Sequence, residues 1–169
     1  MRLFIAIHLN QETKESVKGV QDSFRMMNVR GNYTPEENMH LTLAFIGEYG
    51  DPDQVMDALE AVDFEPFTIR MDKVGHFDDL WWAGFEESPE LEQLVKKVRR
   101  SLADAGIPFD RKRFRAHVTL LRKPDCAKGR IEHVMVEPSD LYVDSFSLMQ
   151  STRGKHGMIY TELGSVSAR

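Results

Sequence analysis

The sequence predicts an α+β fold, and three observations indicate it. Short runs rich in Leu, Ile, Val and Phe, bounded by turn residues, recur along the chain as strand candidates. Three longer segments place apolar residues at spacings of three and four, which is the period of an amphipathic helix. The chain has 169 residues, 41% of them hydrophobic, which is enough for one compact body with a real core. Each half supplies strands and at least one helix to cover them, so an α+β architecture follows.

The first half of the chain predicts the order β-α-β-α-β. Residues 2–8 predict a buried strand, and residues 11–27 predict an amphipathic helix. Residues 40–46 predict a second strand, which ends at a glycine and turn residues. Pro52 suits the first turn of the next helix, and residues 67–74 then alternate as a strand.

The second half predicts the order β-α-β-β-β. Residues 80–85 predict a strand, and a long helix begins near Ser88 and stops at Gly106. Three more strands are predicted, at residues 114–121, 141–149 and 158–163.

One short pattern occurs in each half of the chain. Residues 40–43 read His-Leu-Thr-Leu, and residues 117–120 read His-Val-Thr-Leu. With six histidines and seven threonines in the chain, chance alone gives about 0.25 His-x-Thr triplets. The two His-x-Thr motifs therefore indicate a shared function.

The period of a strand gives this pattern a chemical meaning. His40 and Thr42 must point to one face of their strand, and His117 must share a face with Thr119. Two such strands facing each other across a cleft would combine two imidazoles with two hydroxyls. One imidazole can act as a base while the other acts as an acid, and hydroxyls can donate to an oxyanion. This set suits cleavage of a phosphodiester.

Neither a metal nor an organic cofactor is expected. The sequence contains no His-Glu-x-x-His, no Cys-x-x-Cys pair, no acidic cluster with calcium-loop spacing and no glycine-rich phosphate loop. The predicted acid and base groups need none.

With these residues in view, the sequence resembles the two-histidine (2H) phosphoesterases, and most closely their RNA 2′,3′-cyclic phosphodiesterase branch, once described as 2′-5′ RNA ligases. The residues that carry the resemblance lie at 2–7, 38–48, 82–85 and 114–122. One departure is Ala116, where the branch usually has proline. The resemblance covers nearly the whole chain. It implies a single bilobal domain, residues 1–169, with two pseudo-symmetric antiparallel β-sheet lobes, flanking helices and one motif per lobe in a central groove.

The resemblance also implies roles and a substrate. His40 would be the general acid that protonates the leaving ribose 3′ oxygen, and His117 the general base that activates water. Thr42 and Thr119 would hold the phosphate oxygens. The substrate would be RNA with a 2′,3′-cyclic phosphate end, such as a tRNA fragment, and the product a 2′-phosphate. With an RNA 5′-hydroxyl in place of water, the same groups would join ends through a 2′-5′ bond.

Three further residues are candidates for substrate binding. Arg115 lies two residues before His117 and shares its face in a straight strand, so it could reach the phosphate. Arg122 is favoured by the resemblance, but it faces the cleft only if the strand ends or bulges before it. Phe45 lies five residues after His40; it either packs in the core, the commoner role, or stacks on a base.

Charge and hydropathy bear on partners and location. The net charge is −5, yet twelve basic and three acidic residues lie between Lys96 and Arg130, a segment that contains the second motif. Its field could draw a polyanion such as RNA toward the groove, although for Lys96, Lys97, Arg99 and Arg100 a solvated helix face is the commoner role. No apolar run approaches the roughly 20 residues that cross a bilayer, and the N-terminal run is too short for a signal peptide. We expect a cytoplasmic monomer without membrane contact.

Two other functions compete with an RNA 2′,3′-cyclic phosphodiesterase. The first is a phosphodiesterase for small cyclic or 2′-5′ linked nucleotides. The second is an RNA-binding domain of the same fold without turnover. Two intact motifs argue against a pure binder, since binding alone needs no pair of proton-transfer groups.

Overall fold

The computed structural model describes residues 1–126, 131 and 133–169, and these residues form two antiparallel sheets and three α-helices. The elements are β1 (Arg2–His8), α1 (Gln11–Met26), β2 (Asn32–Tyr33), β3 (His40–Glu48), α2 (Pro52–Glu60), β4 (Phe67–Phe77), β5 (Leu80–Phe85), α3 (Pro89–Asp104), β6 (His117–Arg122), β7 (Ser139–Val143), β8 (Ser145–Gly154) and β9 (Gly157–Ser167). A 3-10 turn, Glu36–Asn38, precedes β3.

Each sheet draws strands from distant parts of the chain. The four-stranded sheet has the order β3-β1-β8-β9, and the five-stranded sheet has the order β2-β6-β5-β4-β7. The predicted α+β class is confirmed. The two sheets, however, are not the two halves of the sequence: the four-stranded sheet joins both ends of the chain, and the other is built mostly from the middle. The chain changes sheet between β1 and β2, between β2 and β3, between β3 and β4, and again between β7 and β8.

Two predicted strands need correction. The strand predicted at residues 114–121 begins only at His117, because its neighbour β5 ends one residue beyond Gly84, the partner of His117. The strand predicted at residues 141–149 is two strands interrupted at Asp144, and they belong to different sheets. Both are apolar enough to be buried, so the hydrophobic pattern gives no sign of the crossing.

The helices cover the sheets through the faces that the sequence makes apolar. Helix α1 begins at Asn10, whose side chain accepts a 2.9 Å hydrogen bond from the backbone N–H of Thr13. It packs on β6 and β7 of the five-stranded sheet, with Phe24 fully buried edge-on against Trp81 at 4.9 Å. Helices α2 and α3 contact each other and pack on β9 and β3, respectively. Within the described residues, none of these helices combines the length and apolarity needed to span a bilayer.

Both motif strands contain a one-residue bulge at the same place. Along the β1–β3 pairing, Ala6 lies opposite Thr42 and Ile5 lies opposite Ala44, so Leu43 has no partner. The equivalent break occurs where β5 pairs with β6. There Trp82 lies opposite Thr119 and Trp81 opposite Leu121, so Leu120 has no partner. Each bulged residue is the third after its histidine.

The bulges decide which side chains face away from the core. Leu43 and Ala44 are both buried, as are Leu120 and Leu121, so the strand alternation is interrupted in each motif. After this interruption, the fifth residue after each histidine returns to the histidine's face. These residues are Phe45 and Arg122.

Gln21 of α1 stabilises the second bulge. Its side chain is 3% exposed, and its amide donates to the carbonyl oxygens of Leu120 at 3.0 Å and Thr34 at 2.9 Å. The carbonyl of Leu120 also accepts from the backbone N–H of Thr34 at 3.1 Å. The bulged residue is thereby joined to a helix and to the loop before the first motif.

We expect Gln21→Leu to lower the free energy of unfolding by about 1–3 kcal/mol, because it leaves buried carbonyl oxygens without this donor. The matched control is Gln11→Leu on the same helix, where the side chain is exposed and its amide donates to the exposed carboxylate of Glu15; its effect should stay within about 0.5 kcal/mol. Urea unfolding of both variants measures the difference. Equal effects would contradict the role of Gln21.

Candidate active site

The two motifs meet at one cavity, although their strands belong to different sheets. The cavity has a volume of about 430 Å³, which is in the usual range for a small-molecule site. All four motif side chains line it, and below we call it the central groove. Its wall is completed by Arg2, Leu3, Phe4, Thr34, Asn38, Phe45, Gly47, Leu80, Val118, Arg122, Ser151, Met158 and Tyr160.

The alternation predicted from the motif is present in both strands. His40 and Thr42 are half-buried beside the groove, whereas Leu41 is fully buried in the core. The second motif repeats the arrangement, with His117 and Thr119 lining the groove. The apolar residues thus hold each strand in place while the polar residues face the groove.

His40 lies in an aromatic environment. Its ring stacks on Phe4 with 4.9 Å between centroids and meets the edge of Tyr160 at 5.0 Å. Burial lowers the pKa of His40 from 6.5 to about 4, while a hydrogen bond to the backbone of Asn38 opposes this shift. Charges on His8 and His117 lower the pKa further, which places the two motif histidines within electrostatic reach of each other.

His117 has a matching environment. Its ring meets the edge of Phe77 at 5.1 Å and lies 6.4 Å from Trp82. Burial lowers the pKa of His117 below 6.5, the hydrogen bond to the backbone of Arg115 raises it, and the nearby charge of Arg122 lowers it. Both imidazoles are therefore mainly neutral near pH 7 in the free protein.

The backbone fixes which nitrogen faces the groove. Nδ1 of His117 lies 2.6 Å from the carbonyl oxygen of Arg115, and a carbonyl can only accept, so Nδ1 carries the proton. Nε2 is then left with a lone pair for proton transfer. His40 also bonds the backbone two residues before it, at Asn38, and this bond raises its pKa as an acceptor would. Both histidines are thus hydrogen-bonded to the backbone two residues before them.

Trp82 supports His117 because two glycines make room for it. A Cβ on Gly84, the cross-strand partner of His117, would lie 2.7 Å from the indole, and one on Gly75 would lie 2.4 Å from it. The indole therefore lies directly over the backbone of β4 and β5. Replacing either glycine would displace the ring that packs near His117.

The groove is cationic. Arg2 and Arg122 line it, and none of the described lining residues is Asp or Glu. In the part of the chain that the structure describes, no group of three or more His, Cys, Asp or Glu is arranged to hold a metal ion. The chemistry of the lining suits an anion held by guanidinium, hydroxyl and imidazole groups.

The three candidates for substrate binding lie in different places. Arg122 faces the groove because of the bulge at Leu120. Arg115 precedes β6; its guanidinium lies over the Phe77 ring at 5.5 Å and lines a neighbouring cavity instead. Phe45 is 53% exposed on the groove wall, so the interpretation as a core residue was wrong.

Several residues of the central groove were not predicted as site residues from the sequence. Phe4 and Tyr160 surround His40, and Arg2 supplies a second cation. They come from β1 and β9, and no pattern in the sequence connects those strands with the motif. The alternation of β1 does offer a partial signal for Phe4, which lies on the face opposite its buried neighbours Leu3 and Ile5.

Comparisons with known proteins agree with this geometry. A family model described as the 2′-5′ RNA ligase superfamily matches residues 16–155. An RNA 2′,3′-cyclic phosphodiesterase of Thermotoga maritima is 31% identical over 176 residues, covering 96% of this chain and 93% of that protein. An Archaeoglobus fulgidus protein with the same name is 32% identical over 175 residues, covering 96% and 98%.

The chain belongs to the 2′-5′ RNA ligase superfamily. The resemblance to the two-histidine phosphoesterases is therefore confirmed. The crystal structure of E. coli LigT complexed with 3′-AMP, another similar protein, superposes with a TM-score of 0.81 at 26% identity, covering 99% of this chain and 96% of that one. This superfamily member thus keeps the same overall fold as LigT.

We expect Arg122→Ala to raise the pKa of His117, because the guanidinium charge is one of the causes that lower it. His40 is the internal control, since Arg122 is not among the causes of its shift. Titration of both imidazoles by NMR measures the two values. An unchanged pKa of His117 would show that Arg122 does not lie beside it.

Proposed function

We propose that this superfamily member is an RNA 2′,3′-cyclic phosphodiesterase that yields a 2′-phosphate. The observation that carries the proposal is the pair of His-x-Thr strands facing one cationic groove, with each imidazole hydrogen-bonded to the backbone two residues before it. Two relatives that align over almost the whole chain bear this name. The E. coli LigT structure, which has the same fold, contains 3′-AMP.

Hydrolysis would need one proton taken and one proton given. Nε2 of His117 takes a proton from water, and the resulting hydroxide attacks the phosphorus. The bond between phosphorus and the ribose 3′ oxygen breaks, and His40 gives its proton to that oxygen. The products are a 2′-phosphate and a free 3′-hydroxyl, and solvent then exchanges protons with both histidines.

The remaining groove groups would hold the phosphate. The hydroxyls of Thr42 and Thr119 are placed beside the histidines and can donate to the non-bridging oxygens as charge develops on them. The guanidinium of Arg122, on the same wall, adds a charged donor. Phe45 offers an exposed ring on which a base can stack.

The lowered pKa of His40 is compatible with a role as acid. A bound phosphodiester is an anion, and a negative charge beside an imidazole stabilises its protonated form. Burial among Phe4 and Tyr160 then makes the proton easy to release to the leaving oxygen. His117 is neutral in the free protein, as a base must be.

The proposal also covers the catalytic unit, the oligomeric form and the location of the protein. Both sheets would form one catalytic unit, residues 1–169, because each supplies one of the two motifs. We propose that the substrate is RNA with a cyclic phosphate end, that the active form is a monomer and that the protein acts in the cytoplasm. In the reverse direction, an RNA 5′-hydroxyl would replace water and give a 2′-5′ linkage.

We expect His40→Ala and His117→Ala each to lower kcat about 10²- to 10⁴-fold, because each removes a proton-transfer group. The substrate is a short RNA ending in a 2′,3′-cyclic phosphate, assayed with EDTA, and the position of the product's phosphate is determined. The matched control is His76→Ala, an exposed histidine on β4, which should retain parental activity. Turnover that survives either groove substitution would contradict the assignment, and an inactive parent would favour a small-molecule substrate or a binding domain.

We expect kcat/KM to follow a bell-shaped pH profile with its maximum below pH 6.5. Activity rises with pH as His117 loses its proton and falls with pH as His40 loses its proton. Both free-protein pKa values lie below 6.5, that of His40 at about 4, so the maximum lies between them. A flat profile from pH 5 to pH 9 would exclude the two-histidine mechanism.

A further inference from the structure

A second cavity adjoins the central groove on the side of His117. Its volume is about 510 Å³, and it shares the side chains of Thr42, Phe45 and His117 with the groove. His40 and Thr119 do not line it. We call it the acceptor cavity. Its remaining wall is formed by Leu43, Ala44, Phe77, Arg99, Asp110, Lys112, Arg113, Phe114 and Arg115.

The loop before β6 makes this cavity strongly cationic. Lys112, Arg113 and Arg115 line it together with Arg99, against a single carboxylate, Asp110. That carboxylate accepts a 2.9 Å hydrogen bond from the backbone N–H of Lys112 and so helps to shape the loop. Neither Lys112 nor Arg113 forms a side-chain ion pair within the described parts of the chain. Both charges are thus available to an anion.

The loop is fixed to the first motif strand. The guanidinium of Arg99 donates to the carbonyl oxygen of Lys112 at 2.7 Å and to that of Leu43, the bulged residue, at 3.3 Å. The backbone N–H of Asp110 donates to the carbonyl oxygen of Phe45 at 2.8 Å. These bonds give the cavity a defined wall beside the reaction centre.

The cavity also offers aromatic faces. The exposed ring of Phe45 lies between it and the groove. Phe77 contacts His117 at 5.1 Å and carries the guanidinium of Arg115 on its face at 5.5 Å. Cations beside exposed aromatic rings are the usual means of binding single-stranded RNA.

The in-line geometry of the reaction indicates which part of the RNA would bind in the acceptor cavity. In an in-line displacement, the attacking and leaving oxygens lie on opposite sides of the phosphorus. If His40 protonates the leaving oxygen, the attacking oxygen must come from the side of His117. The acceptor cavity borders His117 and excludes His40.

From this arrangement we infer that the acceptor cavity binds the 5′-terminal nucleoside of an acceptor RNA in 2′-5′ joining, with Lys112 and Arg113 on its first internucleotide phosphate. The inference rests on the proposed function. In the joining step, the acceptor's 5′-hydroxyl gives its proton to His117 and its oxygen bonds to phosphorus. The bond to the 3′ oxygen breaks, and that oxygen takes a proton from His40.

The test compares two arginines in the same loop. Arg113 lines the cavity, whereas Arg111 lies over Phe109 at 4.8 Å and does not line it. The parent, Arg113→Ala and Arg111→Ala each receive an RNA with a 2′,3′-cyclic phosphate end and an excess of a 5′-hydroxyl RNA trinucleotide. The readout is the ratio of 2′-5′ joined product to 2′-phosphate in one reaction.

Arg113→Ala should lower this ratio about tenfold, because a charged contact to phosphate is lost. Arg111→Ala should leave the ratio within about twofold of the parent's value. An unchanged ratio in Arg113→Ala, or an equal loss in both variants, would overturn the inference.

Binding of the trinucleotide supplies an independent measurement that needs no turnover. With adenosine 2′-phosphate filling the central groove, the trinucleotide should still bind, and Arg113→Ala should reduce the slope of log K against log salt by about 0.7. Competition between the two ligands, absence of trinucleotide binding or an unchanged slope would overturn the inference. A parent that binds the trinucleotide but hydrolyses no cyclic phosphate would instead contradict the proposed function.

Discussion

A bulge three residues after the histidine in each motif strand decides which side chains meet in the groove. The bulges at Leu43 and Leu120 let two successive apolar residues enter the core before the alternation resumes. Without them, Phe45 and Arg122 would point toward the core side of their strands. Because burying an unpaired guanidinium is costly, the bulge in β6 is the arrangement that satisfies both the core and the groove.

The same strands control the acid and base groups. Each imidazole is held by the backbone two residues before it and is packed against aromatic rings, so burial lowers both pKa values while the ring orientation is fixed. The groove supplies arginines but, among the described lining residues, no carboxylate. Neutral imidazoles in a cationic groove are suited to receive an anionic phosphodiester, whose charge then favours protonation of the acid.

The parts of the site that the sequence predicted are those that depend on strand geometry alone. The shared face of His40 and Thr42 follows from the period of two, and the recurrence of the pattern identified its partner strand. The orientation of Arg122 toward the groove could not be predicted from the sequence, because it depends on a bulge that forms where β6 pairs with β5. The crossing at Asp144 was also missed, since β7 and β8 are both apolar. The contacts of Phe4 and Tyr160 with His40 could be predicted only by knowing the order of the strands in the sheet.

The central claim is that the two motif histidines act on opposite sides of one phosphorus atom. The most direct test is a crystal structure with a cyclic vanadate ester of adenosine, which mimics the five-coordinate transition state. The account predicts Nε2 of His117 and Nε2 of His40 at about 2.6–3.2 Å from opposite apical oxygens, with Thr42 and Thr119 on equatorial oxygens. A vanadate held outside the central groove, or contacted by both histidines on one side, would contradict it.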